Sequence, residues 1–124
     1  MSTLKTSNIQ DTSGGNNSTP EEIGKGRAKA WINLNGDDTP TARESYNISS
    51  ITDNATGNYT FNFTNAMSTA NFAWAVSIGD QNHSSSVRQL SYLSSTTTSL
   101  QLLSETSAGS NIDEAYVCVV VFGD

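Results

Sequence analysis

The side chains that could do chemistry are few, and their spacing offers little catalysis. The single histidine, His83, lies in Asp80-Gln81-Asn82-His83-Ser84, where a carboxylate and hydroxyls are near in sequence. A general base needs a nucleophile and an orienting group held in reach, and no nucleophile elbow surrounds any serine. The adjacent acids Asp37-Asp38 and Asp113-Glu114 resemble a glycosidase pair only in composition. Neighbours on a strand point to opposite faces, and in turns they are solvated, whereas a glycosidase needs two carboxylates flanking one bond. Asp37-Asp38 also lacks the spaced oxygen ligands of a calcium loop. Cys118 sits in the most apolar stretch, where a thiol acts as a small hydrophobe, and a lone cysteine excludes an internal disulfide. The residues therefore predict no catalytic set, no metal site and no cofactor.

The aromatic residues carry more. Tyr46, Tyr59, Phe61, Phe63, Phe72, Trp74, Tyr92, Tyr116 and Phe122 read mainly as core. Trp31 stands on the strand face opposite Ile32 and Leu34, among polar neighbours, where three readings stay open: a subunit interface, a core position, or a platform for a sugar ring. Trp31, Asp37, Asp38, Asp80, Asn82 and His83 are the candidate binding residues, with Gly36 to Pro40 and Asp80 to Ser86 read as exposed loops.

Composition defines the elements that must hold these residues. The chain has 124 residues, one domain's worth, of which 35% are hydrophobic and 15% charged. Ser, Thr and Asn number 19, 15 and 13, and such short polar side chains compete with helix hydrogen bonds. A helical bundle is excluded. The net charge is −6, with residues 31–124 carrying nine acids against Arg43 and Arg88, so a phosphate backbone would be repelled and nucleic-acid binding is not expected. No apolar run is long enough for a bilayer, and MSTLKTSNIQ lacks the apolar stretch of a secretory signal; synthesis in a cytosol without membrane insertion follows as an expectation. Seven Asn-x-Ser/Thr triplets are a by-product of composition.

Residues 1–26 hold only Leu4, Ile9 and Ile23 as large aliphatic side chains and cannot form a core alone. They read as an extended attachment arm or a linker, disordered or ordered only against a partner. From Ala28 the period becomes two. Strands are predicted over Ala28 to Asn35, about Ala42 to Ile51, Tyr59 to Phe63 after the turn Asp53 to Gly57, Asn71 to Gly79, Val87 to Leu93, Thr98 to Ser104 and Ala115 to Phe122. In Asn71 to Gly79 the small residues Ala73, Ala75 and Ser77 suggest a covered outer face. The last strand, AYVCVVVF, has no polar alternation and predicts burial on both faces, mid-sheet or in a seam between subunits. The predicted fold is all-β: an antiparallel β-sandwich, jelly-roll-like, over residues 27–124, with the arm over 1–26.

Two stretches also carry a resemblance. Ser2-Thr3-Leu4-Lys5-Thr6-Ser7-Asn8-Ile9-Gln10-Asp11-Thr12-Ser13-Gly14 resembles the opening of tail fibre proteins of tailed bacteriophages, "TLKV-x-x-IQ-x-TSG". Ala28-Lys29-Ala30-Trp31-Ile32-Asn33-Leu34-Asn35-Gly36 and the run Arg43 to Phe63 resemble their fibre-tip elements, with Ala55 where the pattern has Gly. The likeness covers residues 1 to about 75 and implies a structural virion protein, a tail fibre or short fibre, homotrimeric. Leu4 and Ile9 would then form a shared attachment seam that docks on tail, neck or baseplate proteins, and the loops Gly36 to Pro40 and Asp80 to Ser86 would lie at the distal end, where the candidate binding residues would form a receptor site for a host glycan or protein. The alternative is a capsid or neck decoration protein without a receptor role. A polysaccharide-degrading spike would need a larger β-helix and paired carboxylates.

Overall fold

The computed structural model describes residues 1–80 and 87–123. Asn82 and His83 lie outside the described residues. Where apolar and polar residues alternate the chain is extended: β1 (Ala28–Asn35), β2 (Thr41–Tyr46), β3 (Ile48–Ala55), β4 (Asn58–Phe63), β5 (Ala73–Gly79), β6 (Arg88–Thr96), β7 (Ser99–Thr106) and β8 (Tyr116–Phe122). They form two four-stranded antiparallel sheets, ordered β2-β1-β8-β5 and β3-β4-β7-β6. The all-β sandwich expected from the sequence is therefore present. Its likeness to a jelly roll lies in the two four-stranded layers; the wiring is three sequential hairpins, β1-β2, β3-β4 and β6-β7, with β8 inserted between β1 and β5.

The core forms where the inward sets of both layers meet. Ala30, Ile32 and Leu34 of β1 and Val117, Val119 and Val121 of β8 cluster with Tyr59, Phe61 and Phe63 of β4 and Leu100 and Leu102 of β7. Period-two alternation on both sheets places one residue in two in that layer, which is why so polar a chain still closes a core.

Several boundaries differ from the sequence reading. The single strand expected over Ala42 to Ile51 is two strands in different sheets, broken at Asn47, whose φ of 57° is left-handed. Asn tolerates that region, and the side chain fixes the corner: Nδ2 donates to the Lys29 carbonyl at 2.9 Å, and Oδ1 accepts from the Asn65 N–H at 2.7 Å. The turn before β4 places its left-handed residue at Gly57, φ 70°, so Ala55 is free to end β3. β8 is central, as its composition predicts, but it is covered on one face only: Val117, Val119 and Val121 are buried, while Cys118, Val120 and Phe122 are half-buried. Likewise Ala73, Ala75 and Ser77 are exposed instead of covered. The described residues of a single chain supply no third layer over that sheet.

The arm is not simply extended. Ile9 and Ser18 form an isolated antiparallel bridge around a turn in which Asp11 Oδ1 accepts from the N–H groups of Ser13 and Gly15. The Ser13 hydroxyl, which also donates to it, leads in holding the Asp11 carboxyl below the usual aspartate value. A short helix, α1 (Pro20–Gly26), follows. Its cause is local: the Thr19 hydroxyl accepts from the Glu22 N–H, Glu22 accepts from the Thr19 N–H at 2.8 Å, and Pro20 opens the first turn. Yet no side chain of residues 1–26 is buried. No helix among the described residues is long and apolar enough to cross a membrane.

Candidate functional site

Two surfaces stand out, the outer face of the β2-β1-β8-β5 sheet and one end of the sandwich. On the face, strand register aligns Tyr46, Trp31, Val120 and Ala75 in one row across all four strands. The next row is Glu44, Asn33, Cys118 and Ser77. Trp31 is 36% and Tyr46 55% exposed, side by side as a cross-strand pair. Beside Trp31, the small side chains of β5 leave a shallow groove of about 440 Å³ lined by Ala75, Ser77, Cys118 and Val120.

Arg43 frames this face. The β1-β2 register slips between Asn33 and Leu34, leaving Arg43 as the extra residue of a bulge, and a bulge re-aims its side chain. The guanidinium crosses β1, donates to the carbonyls of Leu34 at 3.0 Å and Ala115 at 2.6 Å, and lies 4.2 Å above the Tyr116 ring. That is a cation over an aromatic face. The chemistry offered here is stacking, apolar contact and hydrogen bonding.

At the end of the sandwich, buried polar groups tie three loops to β4 and the start of β6. The Tyr59 hydroxyl donates to Asp113 Oδ1 at 2.8 Å and approaches the Gly36 carbonyl at 3.2 Å. Asp113 Oδ1 also accepts from the Gly57 N–H at 2.7 Å. Burial first, then the Asp113 hydrogen bond and charge, pushes the Tyr59 phenol well above the usual tyrosine range. Glu114, 3% exposed, pairs with Arg88, and its carbonyl accepts from the Gly36 N–H at 3.0 Å. Gly36 is required by close approach, since a Cβ there would meet the Tyr59 hydroxyl at 2.6 Å and the Glu114 carbonyl at 2.8 Å. Asp113-Glu114 is thus a structural staple, not a solvated turn.

The residues expected at a receptor site are only partly gathered. Leu34 and Ile78 both pair with Val117, so the loop carrying Asp37 and Asp38 and the residue Asp80 leave the sheet at one end, on either side of β8. Asp37 is half-buried and Asp38 exposed with a φ of 56°. Trp31 pairs with Val120, three residues back from Val117 and about 10 Å along the strand, so it belongs to the face and not to that end. Leu4 and Ile9, 85% and 52% exposed, stand on the arm. A further recess at the opposite sheet edge brings Trp74 and Tyr92 into a stack with ring centroids 5.9 Å apart, next to Ser95 and Asn71.

Arg43, Tyr46 and Tyr116 were missed as members of the face. Tyr46 could have been found from the register of the β1-β2 hairpin; Arg43 could not, because only the bulge directs it. No protein-family model, curated protein or solved structure matches the chain.

Proposed function

We propose that the chain is a structural virion protein of a tailed bacteriophage, a tail fibre or short fibre, that docks on other virion proteins through residues 1–26 and holds the sandwich outward. The observation that carries this reading is the contrast between the two parts. The sandwich closes its own core within one chain, whereas Leu4 and Ile9 stay exposed on an arm with no buried side chain. Apolar groups held out on a polar tether gain most from a partner's surface. The likeness of residues 1 to about 75 to fibre proteins supplies the class of that partner.

Host contact falls to the end bearing Asp37, Asp38 and Asp80. Carboxylates there accept hydrogen bonds from the hydroxyls of a neutral glycan, and a chain of net charge −6 disfavours an anionic one. In virions assembled with the chain lacking residues 1–26, the protein is expected to be missing from purified particles. Undiminished incorporation overturns arm docking. Joint substitution of Asp37, Asp38 and Asp80 by Ala is expected to slow adsorption to host cells, and unchanged adsorption overturns host contact at this end.

A further inference from the structure

We propose that the free edge of β5 receives Ser2 to Thr6 of a neighbouring copy as a fifth, antiparallel strand, each chain handing its arm to the next around a ring of three. The inference deepens the fibre reading and rests on the three copies which that reading implies.

The first argument is the state of the edge. Among the described residues β5 has β8 as its single partner strand, so one side of its backbone carries unpaired N–H and C=O groups. The other edge strands, β2, β3 and β6, each carry a charged residue and a register slip, whereas β5, AWAVSIG, carries neither. Its core-facing side chains are also incompletely covered. Trp74, Val76 and Ile78 are half-buried, while Ile32 and Val119 of the interior strands are 2% and 5% exposed. The rim beside them is apolar, since Trp74 stacks on Tyr92, which stays 50% exposed. A strand added to such an edge completes the hydrogen-bond ladder and the packing together, and main-chain bonds carry most of the affinity.

The arm supplies a matching pattern. Residues 1–6 belong to no helix, strand or turn, and residues 1–26 make no hydrogen bond to β5 of their own chain. Centring Leu4, 85% exposed, on Val76 turns Ser2, Leu4 and Thr6 toward the core and leaves Thr3 opposite Ser77 and Lys5 opposite Ala75 on the outer face. Thr3 and Ser77 then face each other as two hydroxyls. Lys5 provides the charge that β5 lacks, on the strand that becomes the new edge. It is the one charged side chain of residues 1–8, +1 against −7 for the rest of a chain of net −6, so the arm is drawn toward a neighbour's body.

Direction gives the third argument. Ala28 and Ala73 both pair with Phe122, so β1 and β5 start at the same end of the sheet. A strand antiparallel to β5 runs toward that end, and the donor chain leaves its neighbour where the neighbour's own arm begins. All three arms gather there, opposite the end that bears Asp37, Asp38 and Asp80. A parallel strand would pair less stably and would send the donor toward those loops. Donor and acceptor are different patches of one chain, a head-to-tail contact that is satisfied on every copy only in a closed ring. Ile9 and Ile23, 52% and 43% exposed, remain on the arm for virion docking.

The test uses the full chain. By sedimentation equilibrium the unaltered protein is expected at three times its 13.2 kDa monomer mass. Leu4→Asp and Lys5→Pro, the second removing a ladder N–H, are each expected to make it dissociate roughly tenfold or more readily. No side chain of residues 1–26 is buried, so both variants keep the fold, as circular dichroism checks. A second arm joins Lys5→Cys to Ala75→Cys in a chain with Cys118→Ala, since directly opposed strand residues suit a disulfide. Oxidation is expected to give a covalent three-copy species, and Ser50→Cys, exposed on the far edge strand β3, is expected not to replace Ala75→Cys. A disulfide within one chain, a two-copy species, or equal bonding at Ser50→Cys overturns the exchange. A three-copy mass indifferent to Leu4→Asp and Lys5→Pro overturns it while the three-copy fibre stands. A monomer at all concentrations overturns both the exchange and the ring, and leaves docking of the arm on virion proteins to its own incorporation test.

Discussion

Tyr59 and Asp113, 54 positions apart, are joined by a 2.8 Å hydrogen bond from phenol to carboxylate beneath the loops that end the sandwich. The bond fixes the end at which Asp37, Asp38 and Asp80 emerge. Removing the hydroxyl with Tyr59→Phe leaves Asp113 underpaired and is expected to cost about 1–3 kcal/mol in denaturant unfolding.

Burial of the phenol, and after it the Asp113 bond, sets an alkaline limit. The folded phenol titrates above its ordinary value of 10.0, so its contribution is complete below pH 10 and declines as pH rises further, when the unfolded phenol ionises and the folded one does not. The stability gap between the unaltered protein and Tyr59→Phe should therefore be constant from neutral pH to about 10 and narrow above it, as measured by urea midpoints across that range.

Gly57 carries the β3-β4 turn at φ 70°, and a Cβ there would lie 2.6 Å from the Ser104 carbonyl oxygen. Gly57→Ala is expected to destabilise by about 1–3 kcal/mol from backbone strain alone, with the clash adding to it. A melting temperature equal to that of the unaltered chain would contradict this.

Beside that turn, the Ser104 hydroxyl is fully buried and has no hydrogen-bond partner among the described residues, while Glu114 pairs with Arg88. The two polar sites predict opposite results. Ser104→Ala should be neutral or stabilising by up to about 1 kcal/mol, since it removes an unsatisfied group. Glu114→Gln should destabilise by about 3–5 kcal/mol, since it leaves the guanidinium without its counter-charge.

Helix α1 should be acid-labile. The Thr19 N–H, then its hydroxyl, holds the Glu22 carboxyl below the usual glutamate value of 4.5, so the cap is complete above that value and is lost as pH falls through the lower folded one. The Glu22 amide resonance should move toward its unfolded position over that acid range, while amides of β4 and β7 hold theirs.

Much of the fold was legible because burial imposes a period of two. β1 matches its predicted limits, and β4 and β8 differ by one residue at an end. The break at Asn47 was not legible, since a left-handed Asn looks like any strand residue until its side chain finds Lys29 and Asn65. Helix α1 was legible in principle from Thr19-Pro20-Glu21-Glu22, a capping box overlooked in a segment dominated by small polar residues. The aromatic face was half legible: alternation puts Trp31 outward, but only strand order shows Tyr46 on one side and Ala75 on the other. Asp113 and Glu114 read as solvated because their partners, Tyr59 and Arg88, are distant in sequence.

The most direct test of the fibre reading is localisation on the particle. Gold-labelled antibody raised against residues 28–123 is applied to purified virions and viewed by electron microscopy. The account predicts label on the tail or its fibres, lost from particles assembled with the chain lacking residues 1–26. Label confined to capsid positions, or none on intact virions, contradicts it.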